Sequence, residues 1–207
     1  MAIIRELNGV TPIVGERTFL AETATLIGSV SMGEDCSIWY GAVLRADVGA
    51  IRLGDRVNVQ DNAVLHATYK QSECVIGNDV SIGHGANVHG AVIGSDVIIG
   101  MGAIVLGGAE LGDGCLVAAG SVVTGKTKAP AGWLLMGNPA KLVRNEIEVV
   151  VQVNGKVRGR VAAEKDCTQE TVEEAAMKLD TVKAQLEGKT IRKIIFVKNK
   201  LLNIVAN

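Results

Sequence analysis

Aromatic side chains are nearly missing from this chain: two Phe, two Tyr and two Trp make up 3% of 207 residues, although 48% of the sequence is hydrophobic. A core organised on large rings is therefore excluded, and small and β-branched side chains must pack against one another in a regular way. The four cysteines, Cys36, Cys74, Cys115 and Cys167, include no CxxC pair and follow no secretory hydrophobic segment. They are expected to be free thiols in a reducing cytoplasm. Long apolar runs are also lacking. The most apolar stretch, VIIGMGAIVLGGA from Val97, is short and broken by glycine, so a soluble protein with no membrane partner is expected. An excess of one charge is absent from the whole but not from its parts. Residues 1–148 hold 10 Lys+Arg against 15 Asp+Glu, while residues 149–207 hold 11 against 7. That split suggests two modules with different partners.

What the chain has in quantity is glycine, 25 residues, and a fixed beat of aliphatic side chains. Val14, Leu20, Leu26, Met32, Ile38 and Leu44 fall six apart. After a slip of three residues the series resumes at Leu53, Val59 and Leu65, and after five extra residues at Ile76, Ile82 and Val88. One residue is then dropped, and Ile93, Ile99, Val105, Leu111, Val117 and Val123 complete it. Neither a period of 2 nor one of 3.6 produces this pattern. It is the signature of a parallel β-helix of hexapeptide repeats. Eighteen hexads, three to a coil, predict six stacked coils, with residues 1–13 and the chain after Val123 closing the ends. KAPAGWLLMGNPAKLVR, from Lys128 to Arg144, reads as the exit from the repeat through a Pro/Gly turn.

After Glu146 the grammar changes. VVVQV and KVRGRV flank Asn154-Gly155, a strong hairpin signal. Thr168 is a candidate N-cap for one helix carrying Val172, Ala176, Leu179, Val182 and Leu186 on one face and stopping at Gly188. IRKIIFV and LLNIV complete a small α+β unit of ββαββ order, with the boundary near residues 145–149.

All three histidines lie between Val59 and Gly90. His66 follows Leu65 and His89 follows Val88, so the repeat places them on one face, one above the other. His84, two residues past Ile82, sits around a corner from that pair. If three β-helices pack side by side, the face of His66 and His89 meets the neighbour's face bearing His84. Three neutral imidazoles suffice for a metal with an open fourth position; zinc is preferred, with cobalt or iron possible. Arg45 falls directly under His66, with Asp47 two residues on. Gln60 and Asp61 lie one coil below His84. Arg45 and Asp61 are placed to pair across such an interface, and Gln60 to touch water at the metal.

Residues 10–144 resemble the γ-class carbonic anhydrase family of left-handed β-helix proteins, through IWYGAVLRADVGAIRLGDRVNVQDNAVLH, VSIGHGANVHG and MGNPAKLVR. The resemblance covers the module at residues 1–146. It implies a mainly β, left-handed fold, a homotrimer, and a zinc held by His66 and His89 of one subunit and His84 of another. Arg45, Asp47, Gln60 and Asp61 become the supporting catalytic set, and the implied reaction is hydration of carbon dioxide to bicarbonate by a metal-dependent lyase. One departure bears on rate. The family's best-characterised type has a glutamate after the aspartate of RxD, whereas Val48 stands there and the loop ATYKQSE has Glu73 only at its far end. Tyr69 or buffer would then carry the proton.

Residues 149–207 resemble the C-terminal domain of bacterial leucyl-tRNA synthetase, through VQVNGKVRGRV, DCTQETVEEA and IRKIIFVKNKLLNIVAN. That resemblance implies a fusion with an appended tRNA-binding module. Lys156, Arg158 and Arg160 alternate along one strand, and Arg192, Lys193, Lys198 and Lys200 add charge nearby; such a stripe contacts phosphates without reading bases. Two alternatives to the enzyme stand beside it: a trimeric scaffold presenting RNA-binding modules, and a hexapeptide-repeat acyltransferase.

Overall fold

The computed structural model describes residues 1–143, 146–164 and 167–207. Arg144 and Asn145, at the expected boundary, and Asp166, at the expected helix start, lie outside the described residues. The chain divides into two compact units, residues 1–143 and 144–207.

The first unit is a left-handed parallel β-helix whose short strands each turn one aliphatic side chain inward. Parallel pairing joins the strands of successive coils and builds three columns of side chains. One runs Ile38, Val59, Ile82, Ile99 and Val117. The next runs Leu26, Leu44, Leu65, Val88, Val105 and Val123. The third runs Met32, Leu53, Ile76, Ile93 and Leu111. All are buried, and each fully buried Leu, Ile or Val stabilises the fold by about 1.5–3 kcal/mol. Ile3–Arg5 pairs with Thr25–Met32 and caps the second column from below.

The repeat runs further than its sequence suggests. Ala129 continues the third column from Leu111, and buried Leu135 continues the first from Val117. The exit falls within the expected stretch from Lys128, at the Gly-Asn-Pro-Ala turn of residues 137–140 and not at its start. Pro130 and Gly132 sit at an ordinary corner, and the exit is the antiparallel turn of Leu134–Gly137 against Ala140–Val143.

Corners are held by polar side chains. Asp55 accepts from the Glu34 N–H, Asn78 from Asp55, Ser95 from Asn78 and Asp113 from Ser95. Backbone groups that the strands leave unpaired are thereby satisfied. The next residue of the same corner, Arg17, Asp35, Arg56 and Asp79 in successive coils, lies in the left-handed region at φ 55 to 58°. Arg17 bonds Asp35 at 2.7 Å and Arg56 bonds Asp79 at 2.6 Å. These bonds hold both carboxyls below the usual carboxylate range.

Cys36, Cys74 and Cys115 are buried, Cys167 is partly exposed, and all four are free thiols. Burial pushes the Cys74 thiol up to about 12. Among the described residues no helix is long and apolar enough to cross a membrane.

The second unit is a four-stranded sheet ordered Lys156–Glu164, Glu146–Val153, Leu201–Ala206, Ile191–Val197. Asn154 and Gly155 form its hairpin turn at φ 51° and 75°, the positive pair that a two-residue turn requires. Val149, Val151, Val161, Leu202 and Ile204 pack against Val172, Ala176 and Val182 of the helices. The single helix expected here is two. Gln169–Met177 is capped by Thr168, whose hydroxyl accepts the Thr171 N–H. The chain then extends at Leu179, with φ −70° and ψ 124°, before Asp180–Leu186. The Thr181 hydroxyl donates to the Arg158 carbonyl at 2.6 Å, which ties the start of the second helix to the sheet.

Candidate metal centre

Because Leu65 and Val88 point inward, the residues after them point outward, and His66 and His89 are register partners on adjacent strands. Their rings meet edge to face, with centroids 5.0 Å apart at 66°. His66 Nδ1 and His89 Nε2 are separated by 3.1 Å. The other nitrogen of His66 lies 2.8 Å from Asp47 Oδ1, and the other oxygen of Asp47 pairs with Arg45. Arg45 belongs one rung below His66, as the Leu44–Leu65 register requires. The three-residue slip that follows is what lets Asp47 reach up to the imidazole. Desolvation raises the Asp47 pKa, but bonds from His66, from its own backbone N–H and from Arg45 outweigh it and keep the carboxyl below its ordinary value.

The second group forms on the adjacent face. His84 Nδ1 is 2.9 Å from Asp61 Oδ2, and the His84 ring is about half exposed, 54%. Gln60 Oε1 accepts the His84 backbone N–H at 3.2 Å. A shallow, largely apolar concavity lined by Gln60, Ser81, His84, Ile98 and Met101 opens beside it.

The seven residues singled out in the sequence thus fall into two clusters. Arg45, Asp47, His66 and His89 make one, and Gln60, Asp61 and His84 the other. Within this chain Arg45 pairs with Asp47 and Asp61 with His84, rather than with each other. Among the described residues no three His, Cys, Asp or Glu side chains converge on one metal position. Two do. Two nitrogens bound at about 2.0–2.1 Å to a tetrahedral ion lie about 3.3 Å apart, and the 3.1 Å between His66 and His89 fits that spacing. The chain brings two imidazoles together at one face and holds the third, His84, at another.

Sequence reasoning missed Thr68. Its Oγ1 lies 3.4 Å from His89 Nδ1, in the loop formed by the five extra residues after Leu65. That interruption of the repeat beside a histidine was the available signal.

The basic stripe of the second unit is not a single face. Val151 pairs with Gly159 and Gln152 with Val157, which leaves Arg158 as the extra residue of a β-bulge. The bulge reverses the alternation. Lys156 stands opposite buried Val153 and Arg160 opposite Val150, on the two sides of the sheet. Arg160 also pairs with Glu148 at 2.9 Å, and Arg192 Nε donates to Asn207 Oδ1 at 2.7 Å.

The family model described as bacterial transferase hexapeptide (six repeats) matches residues 90–125. A carbonic anhydrase of Geobacillus kaustophilus is 37% identical over 156 residues, covering 75% of this chain and 85% of that protein. The mitochondrial gamma carbonic anhydrase 2 of Arabidopsis thaliana is 41% identical over 139 residues, covering 65% of this chain; the match spans only 50% of that relative's length. Among solved structures, a hexapeptide transferase family protein from Anaplasma phagocytophilum aligns with a TM-score of 0.66 at 33% identity, over 90% of this chain and 97% of that one.

Proposed function

Since the chain belongs to the γ-carbonic-anhydrase-like family of hexapeptide-repeat proteins, we propose that it hydrates carbon dioxide to bicarbonate at metal sites shared between the subunits of a homotrimer. The observation that carries this reading is the 3.1 Å approach of the His66 and His89 nitrogens, with the third imidazole held apart on another face. His66 and His89 of one subunit and His84 of a neighbour would hold a zinc ion. Such an ion supplies Lewis acidity that makes water nucleophilic near neutral pH.

The chain's own residues perform the rest. Asp47 accepts the outer N–H of His66 and fixes that ring, and Arg45 fixes Asp47. Asp61 orients the His84 ring. Gln60 presents an amide to the attacking water beside a wall containing Ile98 and Met101, which suits an apolar substrate. Each turnover releases one proton as the water oxygen bonds to carbon. Val48 offers no carboxylate for its export, and Glu73 is engaged by Arg52 at 3.3 Å. The proton is handed to buffer, directly or by way of exposed Tyr69, and the hydration rate should rise with buffer concentration before it levels off. Stopped-flow hydration by zinc-loaded protein tests the whole reading against His84→Ala. Wild type should exceed the variant at least about tenfold, the scale of a lost site interaction. Equal rates remove the proposal, and an acyl-CoA-dependent activity without hydration would put acyl transfer in its place.

The positive balance of residues 149–207, 11 Lys+Arg against 7 Asp+Glu, supports a second and separate proposal: salt-sensitive contact with tRNA phosphates. A gel shift with tRNA should weaken steeply between low and moderate salt. No shift at low salt would remove this proposal while leaving the first untouched.

A further inference from the structure

The loop inserted after Leu65 is an interruption of the repeat that touches a histidine ring. A neutral imidazole has one N–H and one bare nitrogen, and the partner of the first decides where the second points. His66 and His89 present nitrogens to each other at 3.1 Å. Both can serve one cation only if both protons sit on the outer nitrogens. The outer nitrogen of His66 faces the Asp47 carboxylate at 2.8 Å, an acceptor with nothing to donate. The outer nitrogen of His89 faces the Thr68 hydroxyl at 3.4 Å.

We infer that Thr68 is a positioning residue for the metal, accepting the Nδ1 proton of His89 so that Nε2 is left bare toward the ion. The inference rests on the proposal that His66 and His89 hold that ion. It gives the inserted loop a purpose that the repeat does not require. The loop is built to hold the hydroxyl in place. The Thr68 N–H donates to Ser72 Oγ at 3.2 Å, and the Gln71 and Ser72 N–H groups donate back to the Thr68 carbonyl at 3.0 and 3.2 Å. The two coils above leave room for it. A Cβ on Gly90 would fall 1.9 Å from Ser72 Oγ, and one on Gly107 would fall 3.3 Å from Thr68 Oγ1.

The opposite polarity, with Thr68 donating to Nδ1, would place the His89 proton between the two rings and oppose metal binding. The two polarities predict different outcomes. Zinc affinity measured by chelator competition should fall about tenfold in Thr68→Val, at the lower end of what a lost outer partner of a ligand histidine costs. Thr68→Ser, which keeps the hydroxyl, should stay close to wild type. Thermal unfolding of the zinc-free proteins should be alike for all three. In ¹⁵N spectra of the zinc-loaded wild type, His89 should show a slowly exchanging Nδ1–H. Unchanged or tighter zinc binding by Thr68→Val, loss in Thr68→Ser equal to that in Thr68→Val, or His89 bound through Nδ1 in wild type would each overturn the inference. Failure of wild type itself to bind zinc would instead remove the proposed metal site, and this inference with it.

Discussion

On the proposed shared-site reading, mixed trimers of His84→Ala and His89→Ala chains should recover about a quarter of the wild-type zinc and hydration activity, although each variant alone should have almost none. The expectation follows from where the two clusters lie. His66 and His89 are register partners on one face, and His84 is held by Asp61 on another. A chain carrying His84→Ala still offers the stacked pair, and a chain carrying His89→Ala still offers the lone imidazole. In a closed ring with heterologous contacts every junction joins the first face of one subunit to the second face of the next. With random mixing of equal amounts, half of the chains present an intact pair and half an intact partner, so about one junction in four is complete. Zinc content per trimer after co-expression, with the two chains differently tagged to confirm mixing, gives the answer directly. If the mixture binds no more zinc than the single variants, the site lies within one chain or does not exist, and the shared-site proposal falls. Recovery beyond about one junction in three, the most that a ring of three such chains allows, would be equally damaging.

The arrangement that motivates this experiment was legible because the hexapeptide repeat converts sequence distance into position. Leu65 and Val88 are 23 residues apart, yet pairing puts them in one column and their following histidines in contact. The same arithmetic placed Arg45 beneath His66 and kept His84 away from both. It failed where residues obey something other than the repeat. Thr68 lies in an insertion whose path is set by bonds within the loop and by Ser72 against Gly90, not by periodicity. Ala129 and Leu135 extend the helix, but a small side chain at the first position and Pro130 before the second disguised the continuation. In the second unit the pairing of Gly159 with Val151 pushed Arg158 into a bulge and moved Lys156 and Arg160 to opposite faces. Alternation alone gives no warning of such a shift. Beside the helix break at Leu179, Thr181 is tied to the Arg158 carbonyl, a contact between residues 23 apart.

Leu65→Ala should destabilise the protein by about 2–5 kcal/mol, the range for removing a large aliphatic side chain from a packed interior. Leu65 is fully buried between Leu44 below and Val88 above. The rungs of a β-helix are locked together by backbone pairing, so neighbours have little freedom to collapse into the space, which places the cost toward the upper part of that range. Val92→Ala is the matched control. It shortens a side chain that is 47% exposed, and surface changes of this kind stay within about 0.5 kcal/mol. Urea unfolding of both variants must be compared at one chain concentration, because assembly adds to apparent stability by mass action. The consequence reaches the metal. His66 is the next residue on the same strand, and its distance to His89 is set by the Leu65–Val88 rung together with the bond from the Gly90 N–H to the His66 carbonyl. Zinc affinity should therefore fall together with stability in Leu65→Ala and stay at the wild-type level in Val92→Ala. If Leu65→Ala costs no more than the control, the buried column does not hold the coils in register. If it lowers stability but leaves zinc affinity intact, Asp47 and Thr68 alone set the separation of the two imidazoles.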